Sequence, residues 1–175
     1  KYLDAPFDIH TGGIDHINVH HENELAQIEG AMGVLQANVW MHGEFLTVDG
    51  GKMSKSLGNL YTVDQLVEKG FDPLAYRYLV LGAHYRTQLN FTFEALEGAQ
   101  NALTNLRKKI REWDAPEIGC AEFDERFDAA LNDDLNTAQA LAVMWELVDS
   151  DYPTAAKAQS LLRMDSVLGL GLDAY

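Results

Sequence analysis

The chain has 175 residues, of which 47% are hydrophobic, and this is enough to bury one compact core or two small ones. Its formal net charge is −14, an unfavourable balance for general nucleic-acid binding at long range. A single cysteine, Cys120, excludes an internal disulfide framework and points to a reducing cytoplasm. No apolar run is long enough to span a bilayer, and residues 1–6 do not resemble a secretion signal.

Phe7-Asp8-Ile9-His10 reads as a short strand that ends at Thr11-Gly12-Gly13. A helix follows, with Glu24, Leu25, Ile28 and Met32 spaced for one face. Val39-Trp40-Met41 and the stretch from Glu44 to Val48 predict two short strands around His42-Gly43. Thr62 can cap a helix over 63–69, stopped by Gly70. Asp72-Pro73 is a start signal for the next helix, which is predicted to bury Tyr76, Leu79 and Val80. Thr92 opens a long helix ending near Trp113, with a seam of Leu96, Ala99, Leu103, Leu106, Ile110 and Trp113.

Asp114-Ala115-Pro116 breaks the helical pattern, so a boundary is expected there. Three more helices follow, marked by Phe123, Phe127 and Leu131, then Leu141, Met144, Trp145 and Val148, then Leu161, Leu162, Val167 and Leu168. Three zones result: α/β over 1–62, a helical connector over 63–113, and an acidic antiparallel helical bundle over 114–175. The charge is uneven. Residues 1–113 carry 14 acids and 10 bases, and residues 114–175 carry 13 acids and 3 bases. RNA contact therefore needs a local patch. Arg107-Lys108-Lys109-Ile110-Arg111 is the one cluster of that kind, and it also reads as a basic helix end that suits the helix dipole.

Two groups of residues carry chemistry. The first is Gly50-Gly51-Lys52-Met53-Ser54-Lys55-Ser56, with two lysines three positions apart after a pair of glycines. Such a loop can close on a triphosphate tail, and Lys52 and Lys55 can stabilise charge that grows on a leaving pyrophosphate. The second is a histidine cluster, because four of the six histidines fall between His10 and His21. On a helix His20 and Glu24 face the same way, one turn apart, and can share a zinc ion. The same residues also read as a polar helix start, with the acids favouring the dipole. An H-E-x-x-H protease pattern is excluded, since Leu25 stands where the second histidine would be.

The string Lys-Met-Ser-Lys-Ser resembles the signature loop of class I aminoacyl-tRNA synthetases. Phe7 to Asp15, His20-His21-Glu22-Asn23-Glu24-Leu25-Ala26-Gln27, Trp40-Met41-His42-Gly43, Leu57-Gly58-Asn59 and Arg77-Tyr78 narrow the likeness. Together with Ala83 to Arg86, Leu89 to Phe91, Asn132 to Thr137 and Val167 to Leu170, they resemble the cysteinyl-tRNA synthetase family over almost the whole chain.

The resemblance implies an α/β remnant of a Rossmann-like class I nucleotide-binding domain followed by a mostly helical bundle. It also implies ATP-dependent activation of cysteine, with Mg2+ accompanying ATP, and transfer to tRNA(Cys) in the cytoplasm. His20 and Glu24 match zinc ligands of the family, and zinc there binds the substrate thiolate. Lys55 matches the lysine that contacts ATP phosphates, and Lys52 assists. His10 matches a residue of the cysteine pocket and Asp15 one of the adenylate pocket, while His42 approaches the nucleotide. The family's two cysteine ligands and its His-x-Gly-His motif find no counterpart here. The chain is therefore expected to be the C-terminal part of a longer enzyme, and inactive alone. Two other readings stay open: a non-catalytic helical module that binds RNA or protein, and a relative that joins cysteine to an amino sugar.

Overall fold

The computed structural model describes residues 4–54, 56 and 58–174. The chain forms two compact units, Lys1–Thr47 with Tyr85–Leu89, and Val48–His84 with Asn90–Tyr175.

In the first unit, strand β1 (Phe7–Gly13) leads through a 3-10 turn (Ile14–His16) and a π-helical turn (Ile17–His21) into helix α1 (Glu22–Met32). Strand β2 (Ala37–Gly43) then returns parallel to β1. Ile9 lies opposite Val39, His10 opposite Trp40, and Gly12 opposite His42. A parallel pair needs a long crossover, and the turns with α1 supply it. β1 ends at Gly13, within its expected end, but β2 includes His42-Gly43, expected as the turn. Leu25 and Ile28 on α1 are half-buried, but Met32 is exposed, so the helix buries a shorter face than its apolar spacing predicts.

The chain passes between the units inside strands β3 (Leu46–Val48) and β5 (Leu89–Phe91). With β4 (Gly51–Lys52) they form a sheet of order β4–β3–β5. Asp49 and Gly50 turn β3 into β4 with φ of 49° and 75°. A two-residue hairpin asks for this left-handed pair, which suits Asp followed by Gly. β5 was not expected: a three-residue strand leaves too short a pattern to detect.

The second unit is helical. α2 (Val63–Glu68) starts with a reciprocal capping box between Thr62 and Gln65. α3 (Pro73–Leu81) is capped by Asp72, whose Oδ1 accepts the Leu74 N–H at 2.8 Å. Ala75 is its buried residue, while Tyr76 and Leu79 are half-buried and Val80 is 40% exposed. α4 (Phe93–Ile110) buries five of the six residues of its predicted seam; it stops three residues short of Trp113, which is half-buried. α5 (Ala121–Asn132), α6 (Thr137–Asp149) and α7 (Thr154–Leu168) follow, with short connections that bring neighbours back antiparallel. Val167 is 52% exposed on α7, and Met164 is fully buried instead.

Leu103, Leu106 and Ile110 of α4 share one core with Phe123, Phe127, Met144, Leu147, Leu161 and Leu168 of the last three helices. Each side chain of this size contributes about 2 kcal/mol by burial. Polar ties fix the packing. Trp145 Nε1 donates to Tyr78 Oη at 2.7 Å. Lys157 Nζ donates to the carbonyls of Val148 and Ser150, closing the end of α6.

Candidate functional site

Imidazoles gather around Glu24 in the first unit. β1 supplies His10, the turn before α1 supplies His20 and His21, α1 supplies Glu24, and β2 supplies Trp40 and His42. The register sets His10 beside Trp40, and their rings lie 4.5 Å apart. Glu24 Oε2 is 2.9 Å from His10 Nε2, and Glu24 Oε1 is 3.2 Å from His20 Nε2. The one-turn spacing of His20 and Glu24 therefore produces the contact that the sequence predicts. His10 joins from the strand, which no local spacing shows.

His21 is the buried member, 4% exposed. Its Nδ1 lies 2.8 Å from His42 Nε2 in a hydrogen bond. Its ring sits edge-on to His10 at 4.7 Å. Burial depresses its pKa, and the neighbouring His10 and His42 add to that effect, so the neutral ring is favoured. A neutral imidazole keeps a lone pair available as a ligand or hydrogen-bond acceptor. Ligand atoms of His10, His21 and Glu24 lie within 4.8 Å of one another, a set able to hold a metal ion. His21 escapes sequence reasoning because its neighbour His20 has the helical spacing to Glu24.

Gly12 is required by close approach. A Cβ there would stand 2.6 Å from His21 Cε1 and 2.9 Å from His16 Nδ1. Asp15 borders the imidazole group through His16, whose ring lies 4.9 Å from that of His20. Asp15 is on the 3-10 turn, more than half exposed, with its carboxylate 4.0 Å from His16 Nε2. Cys120 is buried in the helical core, where burial raises its thiol pKa, and its N–H donates to Ser160 Oγ at 2.7 Å.

The lysine loop belongs to the second unit. Lys52 closes β4 and is exposed; Lys55 lies outside the described residues. The hairpin at its root is held by Asp49 N–H donating to Phe91 O at 3.0 Å and Gly50 N–H donating to Asn90 Oδ1 at 2.8 Å. Asn59 bonds back to the loop through Ser54 N–H at 2.8 Å and Lys52 O at 3.0 Å. The basic cluster is partly neutralised within the fold. Arg107 pairs with Asp72, and Lys109 pairs with Asp149. Those two cations serve packing, which favours the helix-end reading over an RNA patch.

Residues 1–101 match the family described as tRNA synthetases class I (C) catalytic domain, and residues 126–173 match the DALR domain. The chain belongs to the class I (C) tRNA synthetase family. It is 53% identical to cysteine–tRNA ligase 1 of Burkholderia lata over 173 residues, 98% of this chain and 37% of that protein. Against the cysteine–tRNA ligase of Opitutus terrae it is 47% identical, covering 99% of this chain and 38% of that protein. The chain thus spans somewhat over a third of the length of these curated relatives. A methionyl-tRNA synthetase of Mycobacterium tuberculosis, solved with methionyl-adenylate, superposes with a TM-score of 0.59 at 20% identity, over 95% of this chain and 40% of that one. A LeuRS of Agrobacterium radiobacter, solved with tRNA and LeuAMS, gives a TM-score of 0.67 at 19% identity, over 97% of this chain and 26% of that one. These likenesses establish the fold: a class I catalytic-domain portion with a helical bundle. Among the described residues no helix is long and apolar enough to cross a membrane.

Proposed function

We propose that this chain is part of a cysteine–tRNA ligase, which activates cysteine with ATP and passes it to tRNA(Cys) in the cytoplasm. The observation that carries the reading is the meeting of His10 and His20 on the Glu24 carboxylate, in a chain whose named relatives are cysteine–tRNA ligases. Ile9 and Val39, opposite one another on the parallel strands, are 58% and 55% exposed. Parallel sheets are usually covered on both faces, so these strands read as part of a larger sheet.

The donor set fits zinc. Ligand atoms around a tetrahedral zinc with bonds near 2.1 Å stand roughly 3.4 Å apart. The 3.2 Å between His20 Nε2 and Glu24 Oε1 matches that edge. His20 and Glu24 would hold the ion by the family likeness, while the three ligand atoms that converge among the described residues are those of His10, His21 and Glu24. Zinc, when bound, supplies a centre with strong preference for sulfur, which separates cysteine from serine where size cannot. The chain's own residues do the rest at this end. His42 fixes the orientation of His21 through their hydrogen bond. Trp40 backs the His10 and His21 rings and excludes water from one side.

In the second unit, Lys52 and Lys55 meet the triphosphate of ATP, which is bound with Mg2+. Attack by the cysteine carboxylate on the α-phosphorus releases pyrophosphate, and both ammonium groups offset the charge that develops on it. No general base is needed, because a carboxylate is already the nucleophile and the step is one of positioning. His10 and Asp15 contribute to the cysteine and adenylate pocket. The test is cysteine-dependent exchange of labelled pyrophosphate into ATP by the full-length protein that contains this chain. Exchange with cysteine and not with serine is the expected outcome. A protein that binds tRNA but supports no exchange overturns the reading in favour of a non-catalytic module.

A further inference from the structure

We propose that Asn59 is a positioning residue for the lysine loop, fixing the backbone of residues 52–54 in the shape that meets a phosphate ligand. The inference rests on the phosphate-binding role proposed for Lys52 and Lys55.

Asn59 follows Lys52 by seven positions, yet its side chain returns to that residue. Its Nδ2 donates to the Lys52 carbonyl at 3.0 Å, and its Oδ1 accepts the Ser54 N–H at 2.8 Å. A primary amide carries a donor and an acceptor side by side, an arrangement found only in Asn and Gln side chains. The two backbone groups it binds flank Met53. They are the pair that one residue of a neighbouring parallel strand would address. The amide therefore acts as a one-residue strand partner and extends the order of β4 (Gly51–Lys52) by two residues. Upstream, Asp49 and Gly50 are anchored to Phe91 O and Asn90 Oδ1. Backbone anchors thus recur at 49, 50, 52 and 54, and Lys55 is the next residue in the chain.

This spacing has a functional consequence. A loop that must order itself on binding loses affinity by the fraction of time it spends in other shapes. Fixing residues 52–54 beforehand removes part of that loss and sets where the Lys52 side chain begins. Asn59 is only half-buried and lies outside the hydrophobic core. Its removal is therefore expected to loosen the loop without unfolding the chain.

The experiment has two arms. In the 175-residue chain, amide hydrogen exchange at Ser54 reads the clamp directly. Asn59→Ala should speed exchange at Ser54 by about tenfold, the effect of one neutral hydrogen bond, while amides of α4 and α6 stay protected. Asn59→Asp keeps the acceptor and should leave Ser54 protected. Unchanged Ser54 exchange in Asn59→Ala overturns the clamp. In the full-length protein, loss of both bonds should lower pyrophosphate exchange by about thirtyfold, through KM for ATP and kcat, with KM for cysteine unchanged. An active wild type with an equally active Asn59→Ala variant overturns the positioning role. A wild type without exchange overturns the proposed function and the phosphate role with it, while Ser54 still reports on the clamp alone.

Discussion

Glu24→Gln separates a metal-binding role from a merely structural one. The Glu24 carboxylate meets two imidazoles, at 2.9 Å from His10 and 3.2 Å from His20, and Gln36 Nε2 approaches at 3.4 Å. Its side chain is 30% exposed, and that of His20 is 61% exposed. Partly exposed pairs of this kind contribute about 0.2–1 kcal/mol each, so the substitution should lower folding stability by only about 1 kcal/mol. The effect on zinc should be larger. The glutamine is isosteric, but it replaces the one anionic donor of the group with a neutral amide. Zinc affinity should fall by at least about a hundredfold, close to 2.7 kcal/mol. Competition against a chromophoric chelator measures the affinity, and urea unfolding of the metal-free chain measures the stability. Wild-type zinc binding should be weak, because no thiolate is present among these donors. Equal zinc affinity in wild type and variant refutes the assignment of Glu24. Loss of several kcal/mol without zinc would instead make Glu24 a structural group.

Asp72→Asn keeps the α3 cap but breaks the pair with Arg107, whose side chain is 13% exposed. A loss of about 1–2 kcal/mol in urea unfolding is expected, discounted because a third of the Asp72 side chain sees solvent, and Asp72→Ala should cost about 1 kcal/mol more for the cap. Burial pushes the Asp72 pKa up, but the bonds from Arg107 and Leu74 N–H outweigh it and hold the group below its ordinary value of 3.8. The unfolded state then binds the proton more tightly. The stability from Asp72 is present above pH 3.8 and disappears as pH falls through the lower folded value, so the acid limb of an unfolding curve should flatten in Asp72→Asn. Gly12→Ala places a methyl 2.6 Å from His21 Cε1, so it should displace that ring and cost about 1–3 kcal/mol, seen as a lower melting temperature and altered His21 and His42 imidazole resonances. Unshifted resonances would mean that the backbone yields instead. Lys55→Ala in the full-length protein should cut pyrophosphate exchange by about a hundredfold or more, and an unchanged rate would remove Lys55 from the reaction.

The sequence alone determined what depends on neighbours in the chain. Asp72-Pro73 and Thr92 mark helix starts because capping acts over two or three residues. Five of the six residues of the α4 seam emerge because helical periodicity repeats within one element, while the sixth, Trp113, lies past its end. The pairing of His20 with Glu24 follows from a single helical turn. The tertiary structure decided what depends on residues distant in sequence. His10 reaches Glu24, and His42 reaches His21, only because β1 and β2 lie side by side in one particular register. Arg107 and Lys109 find their partners 35 residues before and 40 residues after them, in Asp72 and Asp149, and no local spacing reveals those pairs. Which side of α3 and α7 is covered was likewise set by the helices packed on them, so Ala75 and Met164 are buried while Val80 and Val167 face solvent. Periodicity tells a helix that it has an apolar side; only the neighbours fix how wide that side is and which polar groups share it.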